Sequence, residues 1–76
     1  MINSVLSIFC DHKGFMWFGT FNGLNKYDGN NFRIFKAQPG ESNVLTNNRI
    51  NQIWEDERHF LWVQTYDGYY HCFNQK

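Results

Sequence analysis

Set against itself, the chain matches at one displacement, with Trp62 falling on Trp17, 45 residues earlier. At that displacement Ile8 meets Ile53, Asp11 meets Asp56, Phe15 meets Phe60, Thr20 meets Thr65 and Gly23 meets Gly68. Conservative pairs fill the intervals: Val5 with Ile50, Phe9 with Trp54, Met16 with Leu61, Phe18 with Val63, Phe21 with Tyr66, and Asn22 with Asp67. A pattern written twice calls for one structural unit built twice and stacked on itself, because a single short repeat cannot bury its own apolar face. A period near 45 residues with a tryptophan in each copy suits the blade of a β-propeller, and helical repeats share that period. Local chemistry separates the two. Both copies are dense in β-branched and aromatic residues and are cut at short intervals by Gly, Asn and Asp, which is strand and turn composition.

The first copy predicts strands at 4–10, 15–20, 24–27 and 31–36, with turns at Asp11-His12-Lys13-Gly14, Asn22-Gly23 and Asp28-Gly29-Asn30. Four short antiparallel strands joined by tight turns make one blade. The second copy predicts strands at 49–55, 60–66 and 69–73. The expected fold is therefore all-β: a complete four-stranded blade over 4–36, an inter-blade loop over 37–48, and an incomplete three-stranded blade over 49–76, together a fragment of a larger propeller. The loop holds Pro39, Gly40 and Ser42, and one helical turn fits at 42–45. Asn25, Lys26, Arg33 and Lys36 mark the third and fourth strands of the first copy as outer, solvent-facing ones.

In Phe15-Met16-Trp17-Phe18 and Phe60-Leu61-Trp62-Val63 both pleat faces are apolar, where a one-sided hairpin would alternate apolar with polar. Those strands need cover on both sides. Composition points the same way: a 76-residue chain hides only about 60–65% of its unfolded surface, yet aromatics make up 20% of this one. Neighbouring blades are the expected partners of that excess. Seven basic and seven acidic side chains cancel, so nothing argues for nucleic acid or an anionic membrane as partner. No apolar run reaches the about 18 residues of a membrane helix, and Met1-Ile2-Asn3-Ser4 opens no signal peptide. Cys10 and Cys72 lie in no metal-binding or C-x-x-C spacing and are expected as free thiols packed like small hydrophobes, with a disulfide as the alternative.

Asp11 and Asp56 recur before a turn, where a carboxylate accepts backbone N–H bonds; a rim carboxylate for ligand or metal is the competing role. Trp17 and Trp62 sit mid-strand and are expected to pack between blades rather than to stack on sugar rings. Together with Thr20, Gly23, Thr65 and Gly68 these residues form the structural skeleton of the repeat. Aromatics beside turn residues are the better ligand contacts: Phe21 with Asn22, and Tyr66 with Asp67. His12, His59 and His71 share no ligand spacing, so neither metal nor cofactor is expected. No nucleophile motif, phosphate-binding loop or acid/base carboxylate pair is present, and Glu55 and Asp56 are aimed apart by strand alternation.

The chain resembles the two-component regulator propeller repeat. The resemblance rests on Ser4-Val5-Leu6-Ser7-Ile8, on Asp11 through Thr20, on Asn22-Gly23-Leu24-Asn25-Lys26-Tyr27-Asp28-Gly29 and Phe32, and on Leu45-Thr46-Asn47-Asn48-Arg49-Ile50, which opens the next copy. The second copy departs from the family pattern, with His59 in place of the turn glycine, Gln64 in place of glycine, Tyr69 in place of leucine, and Cys72-Phe73 in place of Tyr-Asp. The resemblance implies the periplasmic, non-catalytic sensing region of a membrane-anchored hybrid two-component histidine kinase of Bacteroides-type bacteria. It further implies polysaccharide-derived oligosaccharides as ligands and a receptor homodimer as the signalling unit. Two other readings stand beside it. Short chains could assemble a closed propeller as an independent carbohydrate- or protein-binding module, or the propeller could be a lyase whose catalytic groups come from other blades.

Overall fold

Strand, turn, strand is dictated most plainly at the two aspartate turns. The computed structural model describes residues 4–36 and 45–73. In it the Asp11 amide donates to the Phe15 carbonyl at 2.9 Å, and the Gly14 amide donates to the Asp11 carbonyl at 3.0 Å. The second copy repeats this with Asp56 to Phe60 at 3.0 Å and His59 to Asp56 at 2.9 Å. Gly14 closes the first turn at φ +89°, and His59 closes the second at φ +67°. The substitution of histidine for glycine thus leaves the turn intact and places a bulky side chain in the left-handed region, where it is strained.

The first four strands, β1 (Val5–Cys10), β2 (Met16–Thr20), β3 (Gly23–Tyr27) and β4 (Phe32–Phe35), form an antiparallel sheet in chain order. A second antiparallel sheet holds β5 (Ile50–Glu55), β6 (Leu61–Thr65) and β7 (Tyr70–Phe73). The fold is all-β, as the repeat predicted, with each sheet a blade-type unit. Even the irregularity is repeated: the β1–β2 register slips between Val5 and Ser7, and the β5–β6 register slips between Ile50 and Gln52. Most of the inter-blade segment, 37–44, lies outside the described residues, and so does most of the helical turn expected at 42–45.

Alternation sorts each sheet into two faces. On one face of the first sheet, Phe9, Trp17, Gly19, Leu24 and Phe35 turn toward the second sheet, which answers with Ile53, Leu61, Val63 and Phe73. Trp17, Leu24, Leu45, Ile50, Ile53, Leu61 and Val63 make up the buried apolar core between them. Phe35 bridges the layers, with its ring 5.9 Å from that of Trp17 and 5.8 Å from that of Phe73. The outer faces remain open: Ile8 and Ile34 on the first sheet, Tyr70 beside the half-buried Trp54 and Trp62 on the second.

Three expectations change. Asn25 is buried rather than solvent-facing, because β3 is an interior strand in which it lies between Phe18 and Ile34. Cys10 and Cys72 are free thiols but exposed, since alternation puts both on open outer faces. Gly68 is not the counterpart of Gly23. Gly23 pairs directly with Thr20, whereas the Thr65 amide donates to the Tyr69 carbonyl, so the second hairpin loop is one residue longer and Tyr69 takes the place of Gly23. Tyr70 then occupies the place of Leu24, which accounts for the apparent loss of that leucine.

Candidate functional site

Each aspartate turn is tied to its tryptophan. Asp11 Oδ1 accepts the Lys13 and Phe15 amides at 2.9 Å, leaving Oδ2 to accept the Trp17 indole N–H at 2.8 Å. Asp56 does the same with the Arg58 and Phe60 amides at 2.9 and 3.0 Å and with Trp62 at 2.9 Å. The carboxylate of the turn therefore anchors the large aromatic ring of the neighbouring strand. Burial pushes the Asp11 carboxyl up, but the bonds from Trp17, Phe15 and Lys13 outweigh it and hold it below its ordinary value. Asp56 is held low chiefly by the Trp62 indole. Each carboxylate thus accepts three bonds inside its own repeat, two on Oδ1 and one on Oδ2, and the indole bond is the link that residue spacing alone did not suggest.

At the opposite end of the strands, the β2–β3 and β6–β7 hairpins bring Phe21 and Tyr66 to a common rim. The Gly23 amide donates to the Asn48 carbonyl at 2.6 Å, and the Tyr66 amide donates to the Arg49 carbonyl at 2.9 Å, so the chain leading into β5 is pinned between the two hairpins. Arg49 is thereby clasped by both rings, its guanidinium carbon 4.8 Å from the Phe21 centroid and 4.2 Å from the Tyr66 centroid. Both rings are otherwise exposed. Arg49 Nε is buried without a hydrogen-bond partner among the described residues. Asn22 contributes its backbone, donating to Thr20 Oγ1 at 2.9 Å. Asp67 accepts the Thr65 hydroxyl, which is the main reason its carboxyl is held low. The structure thus joins Phe21 and Tyr66 through a residue the sequence pattern did not single out. Arg49 has Ser4 as its counterpart 45 residues earlier and so carries no repeat signal.

At the aspartate-turn end a second cluster crosses between the sheets. Glu55 Oε1 accepts the His12 amide at 3.0 Å, and Oε2 is bonded to His12 Nδ1. His59 lays its ring on that of His12, with centroids 3.9 Å apart and planes 22° from parallel, and its Nδ1 lies 3.9 Å from Glu55 Oε2. The three ligand-type atoms all fall within 4.8 Å of one another. Sequence spacing gave no hint of this, because His12 and His59 belong to turns of different sheets that meet only when the blades stack. The third histidine, His71, is elsewhere, with Nε2 3.1 Å from Thr46 Oγ1 and 3.4 Å from Thr65 Oγ1.

Residues 1–22 match the family described as Two component regulator propeller. Over 44 residues, 58% of its length, the chain is 44% identical to Histidine kinase P4 of Formosa agariphila, of which it covers 3%. The extracellular domain of a putative hybrid two component system from B. thetaiotaomicron superimposes with a TM-score of 0.86 at 29% identity, across 96% of this chain and 10% of that one. The chain thus spans a small part of each protein it matches.

Proposed function

Since the chain carries two-component regulator propeller repeats, we propose that it forms part of the non-catalytic, ligand-sensing propeller of a hybrid two-component sensor, on the extracellular or periplasmic side of the membrane. The observation that carries this reading is the match of nearly the whole chain to one stretch of an extracellular sensor domain. The ligand is an oligosaccharide released from a polysaccharide, taken at the rim where Phe21, Arg49 and Tyr66 meet. Exposed ring faces suit the apolar face of a pyranose, and a guanidinium already held in place offers donors to hydroxyl or carboxylate oxygens. Asn22 and Asp67 flank it on the same two loops.

A ligand held by Phe21 from one sheet and Tyr66 from the next bridges two blades, and bridging biases whatever relative arrangement of blades and receptor subunits it fits best. The open outer faces are where neighbouring blades dock, and the receptor acts as a homodimer. Titrating oligosaccharides against the extracellular region containing this chain tests the site: Arg49→Ala and Tyr66→Ala should each weaken binding about thirtyfold, a hot-spot-sized loss. Undiminished affinity in both variants would remove the ligand from this rim. A reading frame around the chain without a membrane span or kinase motifs would remove the receptor.

Self-assembly of separate copies into a ring is the competing reading, since the two open faces are of the same kinds that meet inside the chain. Gln64 opposes it. A Cβ at its counterpart Gly19 would run into Ser7 Oγ of its own sheet and would stand 2.8 Å from Ile50 Cγ2 of the next blade, and a glutamine at that place holds a further unit away.

A further inference from the structure

Three residues that break the repeat meet at one point. Moving back 45 residues, Glu55 answers to Cys10, His59 to Gly14, and Glu57 to His12, so neither copy holds the cluster by itself and only the junction of the two sheets assembles it. The geometry points to a divalent transition-metal site of the zinc class formed by His12 Nδ1, Glu55 Oε2 and His59 Nδ1. Two imidazoles and one carboxylate form a borderline donor set, which suits zinc, copper or nickel rather than calcium or magnesium.

The carboxylate is the fixed member. Its side chain is only 10% exposed and its Oε1 is held by the His12 amide, which leaves Oε2 aimed at the two rings. The imidazoles are the movable members, with side chains 32% and 58% exposed. Around a tetrahedral ion with bonds of about 2.0–2.2 Å, donor atoms stand about 3–3.5 Å apart. The present spread, up to 4.8 Å, closes when His59 swings off the His12 ring, so that the two lone pairs converge, and His12 Nδ1 exchanges its hydrogen bond to Oε2 for the ion. Three protein donors leave a fourth position facing solvent beside the exposed His59, open to water or to an oxygen of a partner molecule. The strained φ of +67° at His59 fits this role, because the turn itself would be better served by the glycine of the first copy. A bound ion would staple the β1–β2 turn of one sheet to the β5–β6 turn of the next.

The test uses the full 76-residue chain, purified without a histidine tag and stripped of metal, titrated with Zn²⁺ by calorimetry and with Co²⁺ by visible absorption. One ion per chain, a tetrahedral-type Co²⁺ spectrum and a raised thermal midpoint are expected. His59→Gly restores the turn glycine, so it should leave the metal-free midpoint equal or higher while weakening Zn²⁺ binding by about tenfold or more. His12→Ala should weaken binding likewise, and His71→Asn should leave it unchanged. The site is overturned if the wild-type chain takes up no Zn²⁺ at micromolar concentration, if His59→Gly binds as tightly as wild type, or if His71→Asn abolishes binding.

Discussion

Ile8 and Ile53 are the same residue of the same pattern, yet Ile8 is 60% exposed and Ile53 only 9%. The pairs around them repeat the contrast: Val5 is exposed and Ile50 is not, while Met16 and Phe18 are half covered where Leu61 and Val63 are fully buried. On the opposite face the inequality reverses. Trp17 of the first sheet is buried and Trp62 of the second only half so. Each sheet has a tryptophan face and an isoleucine face, and the chain buries one of each by laying the first sheet's tryptophan face on the second sheet's isoleucine face. Burial here belongs to the stacking order and not to the motif, which encodes both faces as apolar and leaves the cover to a neighbour.

The largest effect expected from this difference is at the isoleucines. Ile53→Ala should cost about 2–5 kcal/mol in denaturant unfolding, the usual loss for a truncated core side chain. Ile8→Ala, on an open face, should stay within about 0.5 kcal/mol. Equal costs would break the comparison by showing that Ile8 is covered in solution. Adding a preceding blade should raise the cost at Ile8 toward that at Ile53, which would sharpen it.

Next come the aspartates. Asp11→Ala removes three accepted bonds and orphans a buried indole, so about 2–3 kcal/mol is expected, as for charge-assisted bonds lost from a covered site. Asp56→Ala breaks the same set around a more exposed Trp62 and should cost less. The pH dependence follows from the same bonds. Both carboxyls sit below their ordinary value of 3.8 when folded. Their contribution is therefore complete above that value and disappears as pH falls through the lower folded values. Asp28, held low by the Asn31 and Asn30 amides, adds in the same direction. Acid titration of the thermal midpoint should show a fall below about pH 4 that is shallower in Asp11→Asn, since that variant removes a group whose protonation drives the fall.

The strand pattern, the turns and the propeller-type blades were legible because they are local. Residues two apart share a face, and Asp, Asn and Gly mark where the chain reverses. The rim aromatics Phe21 and Tyr66 were legible for the same reason, as partners at one displacement. What escaped was whatever stacking alone creates. Arg49 reaches two aromatic rings only after the Asn48 carbonyl has bonded across to Gly23, and His12 meets Glu55 and His59 only across the gap between sheets. The extra loop residue of the second hairpin escaped for another reason: Gly68 aligned with Gly23 by type while serving a different place in the turn.

Gly19 and Gln64 extend the comparison to close approach. A methyl group on Gly19 would run into Ser7 Oγ of its own sheet and stand 2.8 Å from Ile50 Cγ2 and 3.0 Å from the Ile50 carbonyl oxygen, so Gly19→Ala should cost about 1–3 kcal/mol through overpacking. Gln64→Ala on the open face should be within about 0.5 kcal/mol of neutral. If Gly19→Ala is also neutral, Ser7 turns aside and the sheets sit farther apart than their shared core requires.

The smallest effect distinguishes the two aspartate turns. Gly14 and His59 hold the same left-handed position, and Gly14 has nothing within 4 Å of where a Cβ would stand, so backbone strain rather than a clash at Cβ opposes a side chain there. Gly14→His should therefore destabilise by about 1 kcal/mol, the usual cost of a non-glycine residue at positive φ. His59→Gly should return a similar amount less whatever its stacking on His12 contributes, for a net gain of about 0.5–1 kcal/mol without metal. Thermal unfolding of both variants, metal-free, measures the pair. A loss of stability in His59→Gly would mean that the ring stack and Glu55 hold the sheets together even without an ion. A gain would mean that His59 is retained for something other than stability.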